Sequence, residues 1–391
     1  MTTELPRALI LHPNDGCHTI ARVLVRRGVE VHAFPTEDYR HVLSSRGVAG
    51  RVLPSIRERP EAWVEALSAF DADGGGLLLC GSDAASEWVS ANRSALPASL
   101  RSFESTDGVH AALMDKLQLY RMAAEIGVRA PWMHHVSTRA ELEAVAADLT
   151  FPMVLKARLG HLAKQLIGVG TMHISSRAEL DRQGGLLLDH GVDILLTELV
   201  PGPETGLEAA VTVRATDGTY PLEYGRIKLR QWPLDYGVGS LQMAAQVPET
   251  LKMNRLLLDH VGFHGVSSCE TKRHAETGEP YLIEINVRPP GSFGLAEACG
   301  TDGAWRLYAT LAGIPLTPQR PQIDGRKSVI PHLDALAAVQ RLRSRQTTVA
   351  GVLRSWRGVR DLGVFDLRDP LPALVQTGRL LRKNVARALR R

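Results

Sequence analysis

The sequence predicts a mixed α/β and α+β chain: a small doubly wound parallel unit, then a larger unit built on antiparallel hairpins, then a helical end. Three observations carry this. Short apolar strands alternate with amphipathic helices over the first hundred or so residues. Further on, strands pair across turn signals such as Thr277-Gly278. From Gly313-Ile314-Pro315 onward the periodicity is helical. The bounds that follow are 1–104, 105–316 and 317–391.

The bulk properties exclude several classes. At 391 residues the chain can bury two or three cores. Hydrophobic content of 44% and charged content of 23% are those of a globular chain. No apolar run reaches the length of a membrane span. The N-terminus shows no basic region ahead of an apolar one, so the expected location is the cytoplasm. Cys17, Cys80, Cys269 and Cys299 have no CxxC spacing and read as reduced thiols. The net charge of +4 is concentrated in the tail, where Arg379, Arg382, Lys383, Arg387, Arg390 and Arg391 stand without an acid. The remainder is slightly negative, so no nucleic-acid partner is expected.

In the first unit, Ala8–Leu11 is a strand, Thr19–Arg27 a helix ended by Gly28, and Val29–Phe34 a second strand. Glu61–Phe70 is a helix and Leu77–Cys80 a third strand. The first turn, HPNDGCH, is not GxGxxG, so no nicotinamide site is read there. Asp83 follows the third strand, at the edge where such sheets bind ligands. The favoured reading, however, is that it is the N-cap of the next helix.

The second unit opens near Ser105. Met114–Ile126 reads as a helix stopped by Gly127 and Pro131, with Lys116 at its start. Phe151–Ala157 is an apolar strand interrupted by Lys156, an unusual core residue. Arg158–Thr171, with Gly160, Lys164, Gly168 and Gly170, is either a lid over phosphates or a plain hairpin turn. Asp193–Pro201 is a strand holding Glu198. The following Gly202-Pro203-Glu204 is either a nucleotide-binding turn or a solvated one. Glu223–Arg230 sets Arg226, Lys228 and Arg230 on one face at period two. Three like charges there repel unless an anion sits among them; the competing reading is a charged edge strand. Asp235–Ser240 is a flexible loop.

Leu251–Val261 is a helix leading to the hairpin of Gly265–Lys272 and Tyr281–Ser292. In a strand, Glu284, Asn286 and Arg288 share one face, and Ile283, Ile285 and Val287 the other. Suitable register puts Glu270 beside Glu284. Two carboxylates and an amide oxygen form a hard oxygen set that suits Mg²⁺, with Mn²⁺ as an alternative. Arg288 suits a phosphate or carboxylate. A structural Glu284–Arg288 salt bridge accounts for the same pattern. Beyond it lie a helix around Leu295–Leu311, helical stretches at Ala335–Arg343 and Thr348–Trp356, and the DLRDPLP turn. The last element, Leu374–Arg391, is a basic amphipathic helix with Leu381, Val385 and Leu389 on one side. It is read as a docked terminal helix, with weak contact to a membrane or partner as the alternative.

YLIEINVR with the acid of CETK before it, FPMVLKA, MDKLQLY and TELVPGPE, in this order, resemble the ATP-grasp superfamily over residues 105–316. RIKLRQWPLDYGVGS, GFHGVSSCETKR and the DPLP turn resemble its carboxylate–amine ligase branch, which includes D-aspartate ligases. The resemblance implies an ATP lid subdomain over about 130–200. It implies that Lys116 and Lys156 contact ATP, that Glu198, Leu199 and Val200 line the adenine, and that Glu204 holds the ribose. Glu270, Glu284 and Asn286 would bind Mg²⁺; Arg288, Lys228 and Arg230 would act on the substrate. The implied enzyme is an ADP-forming carbon–nitrogen ligase for amino acids or small peptides, working through an acyl phosphate, and a homodimer is compatible with it. NVR stands where NPR is commoner. The alternatives are a carboxylase or carbamoyl-type enzyme of the same superfamily, and a non-catalytic nucleotide-binding module with a docking tail.

Overall fold

A computed structural model of the chain describes residues 5–157, 166, 171–234 and 237–389. The first sheet is parallel. It comprises β1 (Ala8–Leu11), β2 (Val31–Phe34), β3 (Val48–Gly50), β4 (Gly76–Cys80) and β5 (Leu100–Ser102), in the order β3-β2-β1-β4-β5. The second is antiparallel, with β6 (Met133–Val136), β7 (Met153–Ala157), β8 (Thr171–Ile174) and β9 (Ile194–Glu198) in the order β6-β9-β7-β8. The third holds β10 (Leu207–Arg214), β11 (Leu222–Trp232), β12 (Val238–Ala244), β13 (Gly265–Arg273), β14 (Pro280–Asn286), β15 (Lys327–Val329) and β16 (Val359–Asp361). Its order is β14-β13-β10-β11-β12-β15-β16, and only the β15–β16 pair is parallel.

Alternation decides how the first sheet is wrapped. Ala8 and Ile10 pack with Ile20 and Leu24 of helix Asp15–Arg26. Leu9 and Leu11 pack on the other side, with Trp63 and Leu67 of helix Glu61–Ala72. A parallel sheet buried on both faces is the doubly wound arrangement the sequence predicts. The first of these cores continues into the third sheet, through Val211 and Val213 of β10 and Leu222 and Tyr224 of β11. The N-terminal unit and the large sheet therefore share one apolar interior.

Caps explain where helix bounds differ from expectation. The first helix begins at Asp15 rather than Thr19, because the Asn14 side chain accepts from the Gly16 and Cys17 N–H groups. Asn14 Nδ2 also donates to the carbonyls of Gly81 (2.8 Å) and Pro289 (2.7 Å). A Cβ on Gly16 would stand 2.1 Å from the Pro290 carbonyl. The loop after β14 is thus held against the carboxyl edge of the first sheet. The helix expected over Met114–Ile126 breaks at Asp115, whose carboxylate caps Lys116–Glu125 through the Leu117 and Gln118 N–H groups. The one expected around Leu295–Leu311 is likewise two, Gly294–Ala298 and Gly303–Ala312.

The C-terminal part is helical as expected, with Pro331–Arg343, Val349–Ser355 and Leu371–Leu389, and it adds β15 and β16 to the third sheet. Asp369 of the DPLP turn accepts from Arg22 Nε at 2.8 Å and Ser45 Oγ at 2.7 Å. The last helix lies along residues 37–44, with Gln376 on Asp15 and Arg379 on Asp38. Leu381, assigned to its apolar side, is 61% exposed. The side chains of Lys383, Val385, Arg387 and Leu389, and residues Arg390 and Arg391, lie outside the described residues. So do 158–165 and 167–170, which carry the expected glycine-rich lid, and Asp235 and Tyr236 of the expected loop.

Where pairing of β11 with β12 ends, two side chains take a strand's place. Gln319 accepts from the Glu223 N–H at 2.8 Å and donates to the Glu223 carbonyl at 2.6 Å. Gln322 does the same at Gly225, at 2.7 and 3.4 Å. All four cysteines are buried free thiols. Among the described residues no helix is long and apolar enough to cross a membrane.

Candidate active site

The β13–β14 register sets Glu270 opposite Glu284, as the sequence predicts, and Ser268 opposite Asn286. Gly278, at φ +71°, makes the turn. Directly after the Glu270–Glu284 pair the register slips, leaving Ile283 as an extra residue. Its carbonyl accepts from Lys116 Nζ and Tyr120 Oη, both at 3.1 Å. The bulge thereby ties helix Lys116–Glu125 to the strand that carries the acids.

Glu284, Asn286 and Arg288 form a hydrogen-bonded row. Asn286 Nδ2 donates to Glu284 Oε1 at 3.2 Å, and Arg288 Nη2 to Asn286 Oδ1 at 3.3 Å. Lys116 Nζ donates to Glu284 Oε2 at 2.9 Å. That ammonium holds the Glu284 carboxyl well below the usual carboxylate range, against the opposing effect of burial. Lys156, on β7, faces the same place. Burial first, then repulsion from Lys116, pulls its ammonium down to about 8.

Arg226 and Lys228 form the next wall. Arg226 Nη2 donates to Glu270 Oε1 at 3.2 Å, and Lys228 Nζ is 3.8 Å from Oε2. Arg226 Nε is buried without a hydrogen bond. Arg230 does not join them. A register irregularity between Lys228 and Arg230 interrupts the period-two face. Arg230 instead makes a buried bidentate pair with Asp334, at 2.8 and 2.7 Å. The three cations find their anions in Glu270 and Asp334, both inside the protein.

At the other end, Glu198 closes β9 and its Oε2 accepts from the Trp132 N–H at 3.3 Å. Leu199 and Val200 follow, Val200 being buried. Glu204 pairs with Arg341, and its Oε2 is buried without a hydrogen bond. Asp83 is not a cap: Ser82 caps helix Asp83–Asn92 through the Ala85 N–H at 3.1 Å. The Asp83 carboxylate lies 3.0 Å from Arg288 Nε.

One open cleft of about 1290 Å³ gathers these groups. Lys116, Lys156, Glu198, Leu199, Val200 and Glu204 line it, with Lys228, Glu270, Glu284, Asn286 and Arg288. Arg230 does not. The lining also takes Ile330, Arg341 and Gln346 from the C-terminal part. Sequence reasoning missed these three, because no local pattern signals a contact between helix Pro331–Arg343 and the turn after β9. Among the described residues no three His, Cys, Asp or Glu side chains converge as a metal cage. Two carboxylates and an amide oxygen are nevertheless an adequate protein share for Mg²⁺, which takes its remaining ligands from phosphate and water.

An antiparallel sheet and a mixed one closing on a cleft beside a doubly wound unit define the class of fold: the chain has the ATP-grasp fold. No family model and no curated protein matches the sequence. Solved structures do match. An N5-carboxyaminoimidazole ribonucleotide synthetase in complex with ADP is similar at TM-score 0.65 and 15% identity, covering 88% of each chain. The biotin carboxylase domain of Hydrogenobacter thermophilus 2-oxoglutarate carboxylase, with MgADP, ADP and bicarbonate, is similar at TM-score 0.64 and 14% identity. That match covers 83% of this chain and 74% of the other. An L-amino acid ligase from Bacillus licheniformis is similar at TM-score 0.59 and 18% identity, over 79% and 75% of the two chains.

Proposed function

We propose that the chain is an ATP-dependent carboxylate–amine ligase. It joins amino acids or small peptides through an acyl phosphate and releases ADP and phosphate. The observation that carries this reading is the pairing of Glu270 with Glu284, in line with Asn286 and Arg288 and faced by Lys116, Lys156 and Lys228. An oxygen set beside that many cations suits a triphosphate with its divalent ion. The orphaned Glu204 Oε2 suits a ribose hydroxyl donor.

A free carboxylate resists attack by an amine because oxide is a poor leaving group. Phosphorylation of one carboxylate oxygen by the γ-phosphoryl of ATP removes that obstacle. Lys156, Arg288 and Lys228 stabilise charge on the transferred group. The amine then attacks the carbonyl carbon. The C–N bond forms, the C–O bond breaks, and phosphate leaves with the electron pair while the nitrogen loses a proton. Mg²⁺, bound by Glu270, Glu284 and Asn286, would supply charge neutralisation at the phosphate oxygens. Four buried thiols fit a reducing compartment, the cytoplasm. The basic last helix, docked through Gln376 and Arg379, is read as an accessory to this chemistry.

The test is ADP release on mixing the protein and MgATP with a panel of amino acids and dipeptides, with products read by mass. Amine-dependent ADP and an amide product are expected. A second reading, ATP-dependent carboxylation, is favoured by the likeness to two carboxylating enzymes. Bicarbonate-dependent ADP release would decide for it, and no acceptor-dependent ADP at all would leave a nucleotide-binding module.

A further inference from the structure

The last helix, Leu371–Leu389, docks by its polar side. Buried Gln376 donates to Asp15 Oδ1 at 3.1 Å, and Arg379 donates to Asp38. The leucines stand on the other side. At 3.6 residues per turn, Leu371, Leu374 and Leu381 fall within an arc of about 80°, and Gln376 lies at least 140° or so from each. They are 53%, 65% and 61% exposed. A surface helix of a globular protein ordinarily turns its apolar stripe to the core. This one turns it to solvent. Leu367, in the turn just before the helix, is 85% exposed and extends the apolar run along the chain.

The charge carried by this part of the chain has one sign. From Arg341 onward the sequence holds thirteen arginines and lysines against three acids, Asp361, Asp366 and Asp369. Two of those acids are answered inside the protein, Asp361 by Ser328 and Asp369 by Arg22. The whole chain has 46 basic and 42 acidic residues, which leaves 33 and 39 for everything before Arg341. Arg368 and Arg382, next in sequence to Leu367 and Leu381, are exposed and have no ion-pair partner among the described residues.

We propose that this C-terminal part docks on an anionic lipid bilayer. Leu367, Leu371, Leu374 and Leu381 enter the interfacial layer, and Arg368 and Arg382 meet the phosphates of acidic headgroups. The inference stands apart from the ligase reading. The attachment is peripheral, since among the described residues no helix is long and apolar enough to cross a membrane. Charge and apolar exposure together select this partner. A nucleic acid matches the cations but leaves the leucines in water. A second copy of the chain matches the leucines but sets a strongly cationic face against its own like. An anionic bilayer answers both, with acyl chains under the leucines and negative headgroups around the arginines.

The test is co-sedimentation of the full chain with vesicles of phosphatidylcholine alone, or with about 30% phosphatidylglycerol added. Binding to the anionic vesicles is expected to be at least tenfold or so tighter, and to weaken as salt is raised. Leu374→Ser with Leu381→Ser is expected to weaken it about tenfold. Arg368→Glu with Arg382→Glu is expected to cut the preference for anionic lipid about tenfold. Leu256→Ser, at an exposed leucine of helix Pro248–His260, is expected to leave binding unchanged. Because the native thiols are buried, a polarity-sensitive dye on Leu374→Cys reports that position. Its emission is expected to move to the blue on anionic vesicles. Circular dichroism checks that every variant folds. Equal binding to the two vesicle types, or none, overturns the proposal. Binding that survives the paired leucine change, or that leaves the dye unshifted, also overturns it and reduces the contact to charge adhesion. A dimer in lipid-free gel filtration that the paired leucine change dissolves overturns it as well, and makes the stripe an interface between copies.

Discussion

Lys116 donates a hydrogen bond to Glu284 at 2.9 Å, so the central carboxylate of the cleft is already paired within the protein. A divalent ion that binds there shares Glu284 with an ammonium. Glu284→Gln keeps the shape and leaves Lys116 a neutral acceptor. We expect it to fold with a melting temperature within a few degrees of wild type and to release ADP at least ~100-fold more slowly. Normal turnover in the folded variant would remove Glu284 from the metal site.

Lys156 gives the cleft a pH dependence. Burial lowers it from 10.5 to about 8. Between these values the unfolded chain holds a proton that the folded chain has released, so this residue makes stability rise with pH across that window. For nucleotide the sign is reversed, because the charged form is the one that attracts phosphate. ADP affinity by calorimetry is expected to fall once pH passes about 8. Lys156→Arg, charged throughout, should flatten that fall. Identical profiles for the two proteins would refute the assignment.

Arg230 tests the correction made by the fold. Arg230→Leu leaves Asp334 buried with, among the described residues, Ser240 and Trp356 as side-chain donors. The expected loss is about 3–5 kcal/mol of stability, read as a lower urea midpoint. Turnover per folded molecule should change less than tenfold. Arg226→Met, in the cleft, should do the reverse. A large fall in kcat for Arg230→Leu without loss of stability would return Arg230 to the reacting centre.

Glu204→Gln should weaken ADP about tenfold, the worth of one hydrogen bond to a charged acceptor. The same variant should bind ADP and its 2′-deoxy and 3′-deoxy analogues with nearly equal affinity. If wild-type protein already fails to distinguish them, Glu204 does not hold the ribose.

The central hairpin was legible because a strand's period is two and a turn lay at Thr277-Gly278; those two facts put Glu270 beside Glu284. The same rule misplaced Arg230, because a single irregularity after Lys228 breaks the period and nothing local announces it. Arg341 and Ile330 were invisible for another reason: they reach the cleft from helix Pro331–Arg343 and the residue before it, remote in sequence, through tertiary contacts. The three-residue strands β3 and β5 are too short to show alternation. Asp115 was read through as helix, yet its cap is what sets Lys116 at the start of the helix that reaches Glu284.

Gln319 and Gln322 do more than hold a connecting segment. A strand margin with open amides and carbonyls invites a foreign strand, and in a crowded cell that is the opening step of fibre growth. Here the amide groups of two side chains fill those positions without offering a further row of bonds. Growth of the large sheet by stacking another chain at this margin is terminated chemically, by two residues that carry no charge.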